Sequence, residues 1–166
     1  LLTLVLLFGF SSAWAANTIK WSMKGDSLTL DPHAQNEGPT TMVSRQVYEA
    51  LVTRGLDMSI GAQLATDWKA TSPTTWVFNL RKDVKFSDGT PMTSEDVVFS
   101  ILRAKLPTSD FKEYISSVSS VKALDDYSIE ITTAEPNPIL LNQLSNIFVV
   151  SKAWATENFS IAPQNW

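Results

Sequence analysis

The hydrophobic positions of this chain change period several times, and each change marks an element. Leu1 to Phe10 form an apolar run broken only by Thr3 and Gly9, with no charge before Lys20. Alternation follows: Ile19, Trp21 and Met23 are separated by Lys20 and Ser22, the period of a half-buried strand. Gly25-Asp26 breaks it. Residues 28–33 read as extended, because Pro32 pushes Asp31 out of the helical region. Asn36, Glu37, Gly38 and Pro39 read as a loop. Thr40 or Thr41 can cap a helix with Val43, Val47, Tyr48, Leu51 and Val52 on its apolar face. The chain turns again between Arg54 and Gly61, and Leu64, Ala65 and Trp68 fall in a short irregular stretch.

The next stretch is more regular. Trp76, Phe78 and Leu80 share one face of a strand, and Val84 and Phe86 continue the alternation in a second strand after a turn at 81–83. Ser87-Asp88-Gly89-Thr90-Pro91 is a strong turn signal. Thr93 then caps a helix with Asp96 at the capping-box position; Val97, Val98, Ile101 and Leu102 form its buried side, and Pro107 ends it. Residues 118–124 and 127–133 predict a hairpin around Asp125-Asp126, with Tyr127, Ile129 and Ile131 on one face. Pro138 suits the first helical position of a short helix carrying Ile139, Leu140, Leu141 and Leu144. Residues 147–150 fit a strand buried on both faces. Mixed strands and helices argue for an α/β or α+β fold.

The opening run is the one segment that is too apolar for its length. Spanning a bilayer takes roughly 20 apolar residues, and this run stops sooner. A short apolar core followed by small residues is what a signal peptidase reads. Ala13 and Ala15 supply the small residues, so residues 1–15 are expected to be a cleavable signal peptide; cutting after Ala16 would put Trp14 where a small side chain is needed. With no initiator Met and no basic segment ahead of the run, the chain is expected to start inside that signal. There is no Cys. That removes disulfides, thiol chemistry and a lipid anchor on the first mature residue. The expected product is a soluble, unlipidated protein of a Gram-negative periplasm.

Composition narrows the function by exclusion. Thirteen basic against seventeen acidic residues give a net charge of −4 and no basic run, so nucleic acid is an unsuitable partner. His33 is the single histidine and has no Cys or second His with which to hold a metal; it reads as a loop or core residue. No G-x-S-x-G elbow and no glycine-rich phosphate loop occurs, and the six glycines are scattered. The acidic pairs Glu95-Asp96 and Asp125-Asp126 are accounted for by capping and turn formation. Trp21, Trp68 and Trp76 sit within apolar patterns and read as core rather than as a carbohydrate platform. No catalytic residue, cofactor or metal site is therefore assigned.

The segments 48–52 (YEALV), 63–68 (QLATDW) and above all 76–100 (WVFNLRKDVKFSDGTPMTSEDVVFS) resemble the family 5 solute-binding proteins, the dipeptide, oligopeptide and nickel receptors of ABC importers. Residues 30–33 (LDPH), 121–126 (VKALDD) and 151–154 (SKAW) fit as well. The resemblance covers essentially the whole chain after the leader. The 76–100 signature itself is scaffold: a turn at Asp88-Gly89, a cap at Thr93 and packing by Val97, Val98 and Ile101.

The resemblance implies an α/β fold of the periplasmic binding protein type II kind, in which two lobes close around a solute. It implies that residues 16–48 begin lobe I, 49–146 form an inserted extra subdomain, and 147–166 return to lobe I, with lobe II beyond the chain. A chain of residues 16–166 would then bind no solute alone. The resemblance implies that Asn36, Glu37, Gly38 and Pro39 lie against the main chain of a bound peptide, where Gly38 permits close approach; Pro39 removes one donor. An aromatic used by some relatives falls near Phe111, in a divergent region. The implied activity is capture of di- and oligopeptides by a monomer and delivery to ABC permease subunits at the inner membrane. A nickel chelate, an oligosaccharide or an opine is the alternative solute, and an exported hydrolase the alternative class.

Overall fold

The alternation at Trp76, Phe78 and Leu80 becomes the middle of an antiparallel sheet. A computed structural model describes Ser22 and residues 24–164. The expected leader and the strand expected over 19–23 lie outside the described residues. Among those described, β1 (Val52–Arg54) and β2 (Ile60–Ala62) form a two-stranded ribbon. Four further strands form a sheet in the order β3-β4-β6-β5: β3 (Ala65–Ala70), β4 (Thr75–Leu80), β5 (Val118–Asp125) and β6 (Ser128–Thr133). All neighbours are antiparallel. The pairings Trp76↔Ile131 and Phe78↔Ile129 set the register. A shift of one residue would turn both rows to the wrong face.

One face of this sheet is the core. Phe78, Ile129 and Ile131 have no exposed surface, and Trp68 stacks beside Phe78 with ring centroids 6.4 Å apart. The face is covered by α2 (Ser94–Ala104), through Val97, Ile101 and Ala104. Burying each large side chain contributes about 1.5–3 kcal/mol. The opposite face is polar: Lys122 and Glu130, cross-strand neighbours, form an ion pair at 2.9 Å. The start of α2 is fixed as expected. The Asp96 carboxylate accepts from the Thr93 amide (2.9 Å) and hydroxyl (3.2 Å), and its other oxygen accepts from the Lys152 amide (2.9 Å). The same cap therefore holds the stretch entering α4 (Lys152–Glu157). The 87–91 turn closes through Gly89 N–H to Phe86 O, with Gly89 at φ 87°, which glycine adopts without strain.

Several sequence expectations are corrected. Residues 28–33 do not stay extended: Asp31–Ala34 is a turn closed by Ala34 N–H to Asp31 O. Helix α1 (Gly38–Val47) starts earlier than expected, with Glu37 rather than a threonine as its cap, and ends before Tyr48. Leu51 and Val52 are buried, but Val52 belongs to β1. The stretch called irregular around Ala65 and Trp68 is strand β3. Val84 and Phe86 form no strand; only the bridge Lys85↔Pro91 joins there. Leu102 is half exposed, and Arg103 takes a buried place instead. Pro138 precedes the cap of α3 (Leu140–Leu144) rather than opening the helix. Residues 147–149 are buried as expected but pair only through Ala50↔Phe148. The described residues contain no helix long and apolar enough to cross a membrane.

Candidate ligand-facing site

The segment leading into α1 is built on a short polar turn. Thr29 Oγ1 accepts the Asp31 amide at 3.0 Å, and Asp31 Oδ1 accepts the His33 amide at 3.0 Å, so two side chains shape the backbone locally. Beneath it lies a buried ion pair. Arg103 and Asp31 are both less than 10% exposed and meet through a bidentate fork, Nη1 to Oδ1 at 2.8 Å and Nη2 to Oδ2 at 2.6 Å. Desolvation pushes the Asp31 carboxyl up. Arg103, with the His33 and Gln164 amides, outweighs it and holds the group below the usual carboxylate range.

His33 has no exposed surface, which bears out its reading as a core residue. Its Nε2 lies 2.9 Å from the Phe148 carbonyl, which can only accept, so Nε2 carries the proton. Nδ1 then accepts from Arg103 Nη1 at 3.1 Å. Burial, then the Arg103 charge, lower the imidazole to about 4 against the pull of Asp31 and the Phe148 bond. The ring is neutral near pH 7.

The four residues singled out in the sequence sit together just beyond this turn. Asn36 is exposed and donates through Nδ2 to Tyr114 Oη at 3.4 Å. Glu37 Oε1 accepts the Thr40 amide at 2.7 Å, which commits its carboxylate to the helix start. Gly38 is exposed, and a Cβ built there would meet nothing within 4 Å. Pro39 lies in the first turn of α1. The segment is therefore a helix entry rather than a free loop. Tyr114, in a 3₁₀ turn over Lys112–Ile115, is the neighbouring aromatic that sequence reasoning missed. Phe111 is buried instead, packing on His33 and Tyr114 at 6.3 and 5.7 Å. No short signal marks Tyr114; only its place beside Asn36 does.

A cleft of about 420 Å³ has Asp31 and Arg103 in its lining, with Leu30, Tyr48, Phe86 and Trp154 around them. Among the described residues, no group of three or more acidic, His or Cys side chains could hold a metal. No buried side-chain nitrogen or oxygen among them lacks a hydrogen-bond partner. What the entry to α1 exposes is the polar side chain of Asn36 and the open backbone of Gly38.

The fold is a mixed scaffold of helices and antiparallel strands. The profile of the bacterial extracellular solute-binding proteins, family 5 Middle, matches residues 59–164, and the chain belongs to this family. It is 33% identical over 129 residues to the periplasmic oligopeptide-binding protein OppA of Escherichia coli K12, covering 66% of this chain and 24% of that protein. The structure of the Escherichia coli murein tripeptide binding protein MppA superposes with a TM-score of 0.76 at 28% identity, over 81% of this chain and 31% of that one. The A. tumefaciens R10 protein MoaA, solved with mannopinic acid, superposes at 0.74 with 32% identity, over 80% and 29%. The chain thus spans about a quarter of the length of the curated relatives it matches.

Proposed function

We propose that this chain is part of a periplasmic receptor that captures di- and oligopeptides and delivers them to the permease of an ABC importer. Its family membership, with a relative named for oligopeptide binding at 33% identity, carries the reading. The receptor catalyses nothing: a solute stabilises the closed arrangement in proportion to its better fit there. It is soluble, unlipidated and monomeric, and belongs to a Gram-negative cell. Asn36, Glu37, Gly38 and Pro39 form part of the peptide wall.

Residues 16–48 begin lobe I, 49–146 form the extra subdomain, and 147–166 return to lobe I. The Val149 amide bonds Glu49 O at 2.8 Å and Ala50 bridges Phe148, so the proposed insertion leaves where it enters. That proximity supports the division. A different solute is the second reading, favoured by the mannopinic acid held by one structural relative. A thermal-shift screen of the protein expressed from its whole reading frame decides between them. A ligand at a hundredfold excess over its Kd stabilises by about 2.7 kcal/mol. Shifts with peptides of two to five residues support the first reading; a shift with mannopinic acid and none with peptides overturns it.

A further inference from the structure

We propose that Arg103 is a positioning residue for solute binding: from the last turn of α2 it fixes the turn that presents Asn36 to Pro39, while touching no solute. The proposal rests on the receptor reading above.

All five N–H bonds of the guanidinium are used. Nε donates to Ser160 O at 3.1 Å, Nη1 to Asp31 Oδ1 and His33 Nδ1, and Nη2 to Asp31 Oδ2 and to Ala162 O at 3.1 Å. Asp31 in turn accepts the amides of His33 and of Gln164, the latter at 2.9 Å. Three remote parts of the chain therefore converge on residues 31–33: the end of α2, the 148 re-entry through His33 Nε2, and the 160–164 stretch. A fourth tie comes from the Ser109 hydroxyl and the Asp110 amide, both donating to His33 O at 3.2 Å.

The segment that follows carries the candidate wall residues. Asn36 has a long bond to Tyr114, and Glu37 bonds only forward, into its own helix. Gly38 thus lies between two anchors, the turn before it and the Leu28 amide bond to Thr40 Oγ1 at 2.9 Å within α1, and loosening the turn frees one side of the presented backbone. Lysine at 103 would keep the charge but lose the planar fork, because an ammonium offers one point of attachment in place of two parallel bonds. The turn would keep an ionic partner and lose its fixed angle.

The test uses the whole protein with R103K, D31N and F78A, probed with alanine peptides of two to five residues. F78A is a destabilising change in β4, outside the turn and its hydrogen-bond network, and serves as the control. Amide exchange and calorimetric affinity are measured at a temperature where every variant is folded. The expected result for R103K and D31N is amide exchange at residues 34–37 faster by about tenfold, with exchange in the β4–β6 ladder unchanged. Peptide affinity should fall by about tenfold, whereas F78A binds as wild type does. Should R103K fail to fold, D31N carries the same comparison. Unchanged affinity in the folded variants of a wild type that does bind overturns the positioning role alone. Equal loss in F78A also overturns it, since general destabilisation would then suffice. A wild type that binds none of the peptides overturns the receptor reading and this proposal with it.

Discussion

Protonating His33 should destabilise this protein, and the structure sets the size of the effect. In the neutral ring Nδ1 accepts from Arg103; after protonation an N–H would face the Arg103 N–H at 3.1 Å, with two positive charges in a buried space. The imidazole therefore resists protonation until about pH 4, whereas an unfolded histidine titrates at 6.5. Between those values the unfolded chain binds more protons, so stability rises with pH and is lost as pH falls from about 6.5 towards 4. A fall in pKa of this size corresponds to about 3.4 kcal/mol, about three quarters of it expressed by pH 4.5. Below that, the depressed Asp31 carboxyl adds its own loss, because its contribution exists only while it is ionised. The assay is urea unfolding of wild type and H33Q between pH 7.5 and 4.5. Glutamine can donate to Phe148 O and accept from Arg103 without titrating, and carboxylates common to both proteins cancel in the difference. The stability difference should move against wild type by about 2–3 kcal/mol across this range. A difference that stays flat would refute the reasoning.

Three further outcomes follow from the packing. F78A should cost about 3–5 kcal/mol in the same unfolding assay, because Phe78 is fully buried at the centre of the sheet. D96A should cost about 1–2 kcal/mol, as it removes the helix cap and the bond to the Lys152 amide together, and T93A should cost less. M58G should raise the melting temperature slightly. Met58 is exposed and held at φ 68°, and relieving a left-handed side chain gains about 1 kcal/mol; a lower melting temperature would show that the side chain makes a contact worth more than the strain.

Within residues 76–133 the sequence is legible where apolar spacing and turns agree, and fails at Val84 and Phe86, where only the bridge Lys85↔Pro91 forms. Alternation at 76, 78 and 80, the Asp88-Gly89 turn and the Thr93 cap each specify the same local structure, and neighbours reinforce it. Strand β3 was hidden by a bulge. The register shifts between Ala65 and Asp67, so Ala65 and Trp68, three apart, both turn inward and no period of two survives. Helix α1 misled in the opposite way. Its buried positions are Thr40 and Ser44, with Thr40 Oγ1 accepting the Leu28 amide, while apolar Val47 is exposed. Tertiary pairing then claims the apolar residues beyond it: Ala50 bonds Gln63 Oε1 and bridges Phe148.

The Asp31–Arg103 pair left a trace that apolar periodicity passes over. Asp96, Ser100 and Arg103 lie on one stripe of α2, and all are buried. Polar residues repeating at helical spacing beside an apolar face are a signature of a satisfied internal network. Asn36 to Pro39 are candidates through the family resemblance alone, and the place of Tyr114 beside Asn36 is not legible in the sequence because it depends on a contact across 78 positions.

The most direct test of the receptor account is calorimetric titration of the whole protein with alanine peptides, wild type beside G38L. Gly38 is exposed with open space at its Cβ position, so the leucine should leave the unfolding midpoint unchanged. The account predicts that wild type binds one peptide per chain and that G38L binds it about tenfold more weakly or worse. Absence of any peptide binding by wild type would contradict the receptor account, and equal binding by both would remove residues 36–39 from the peptide wall.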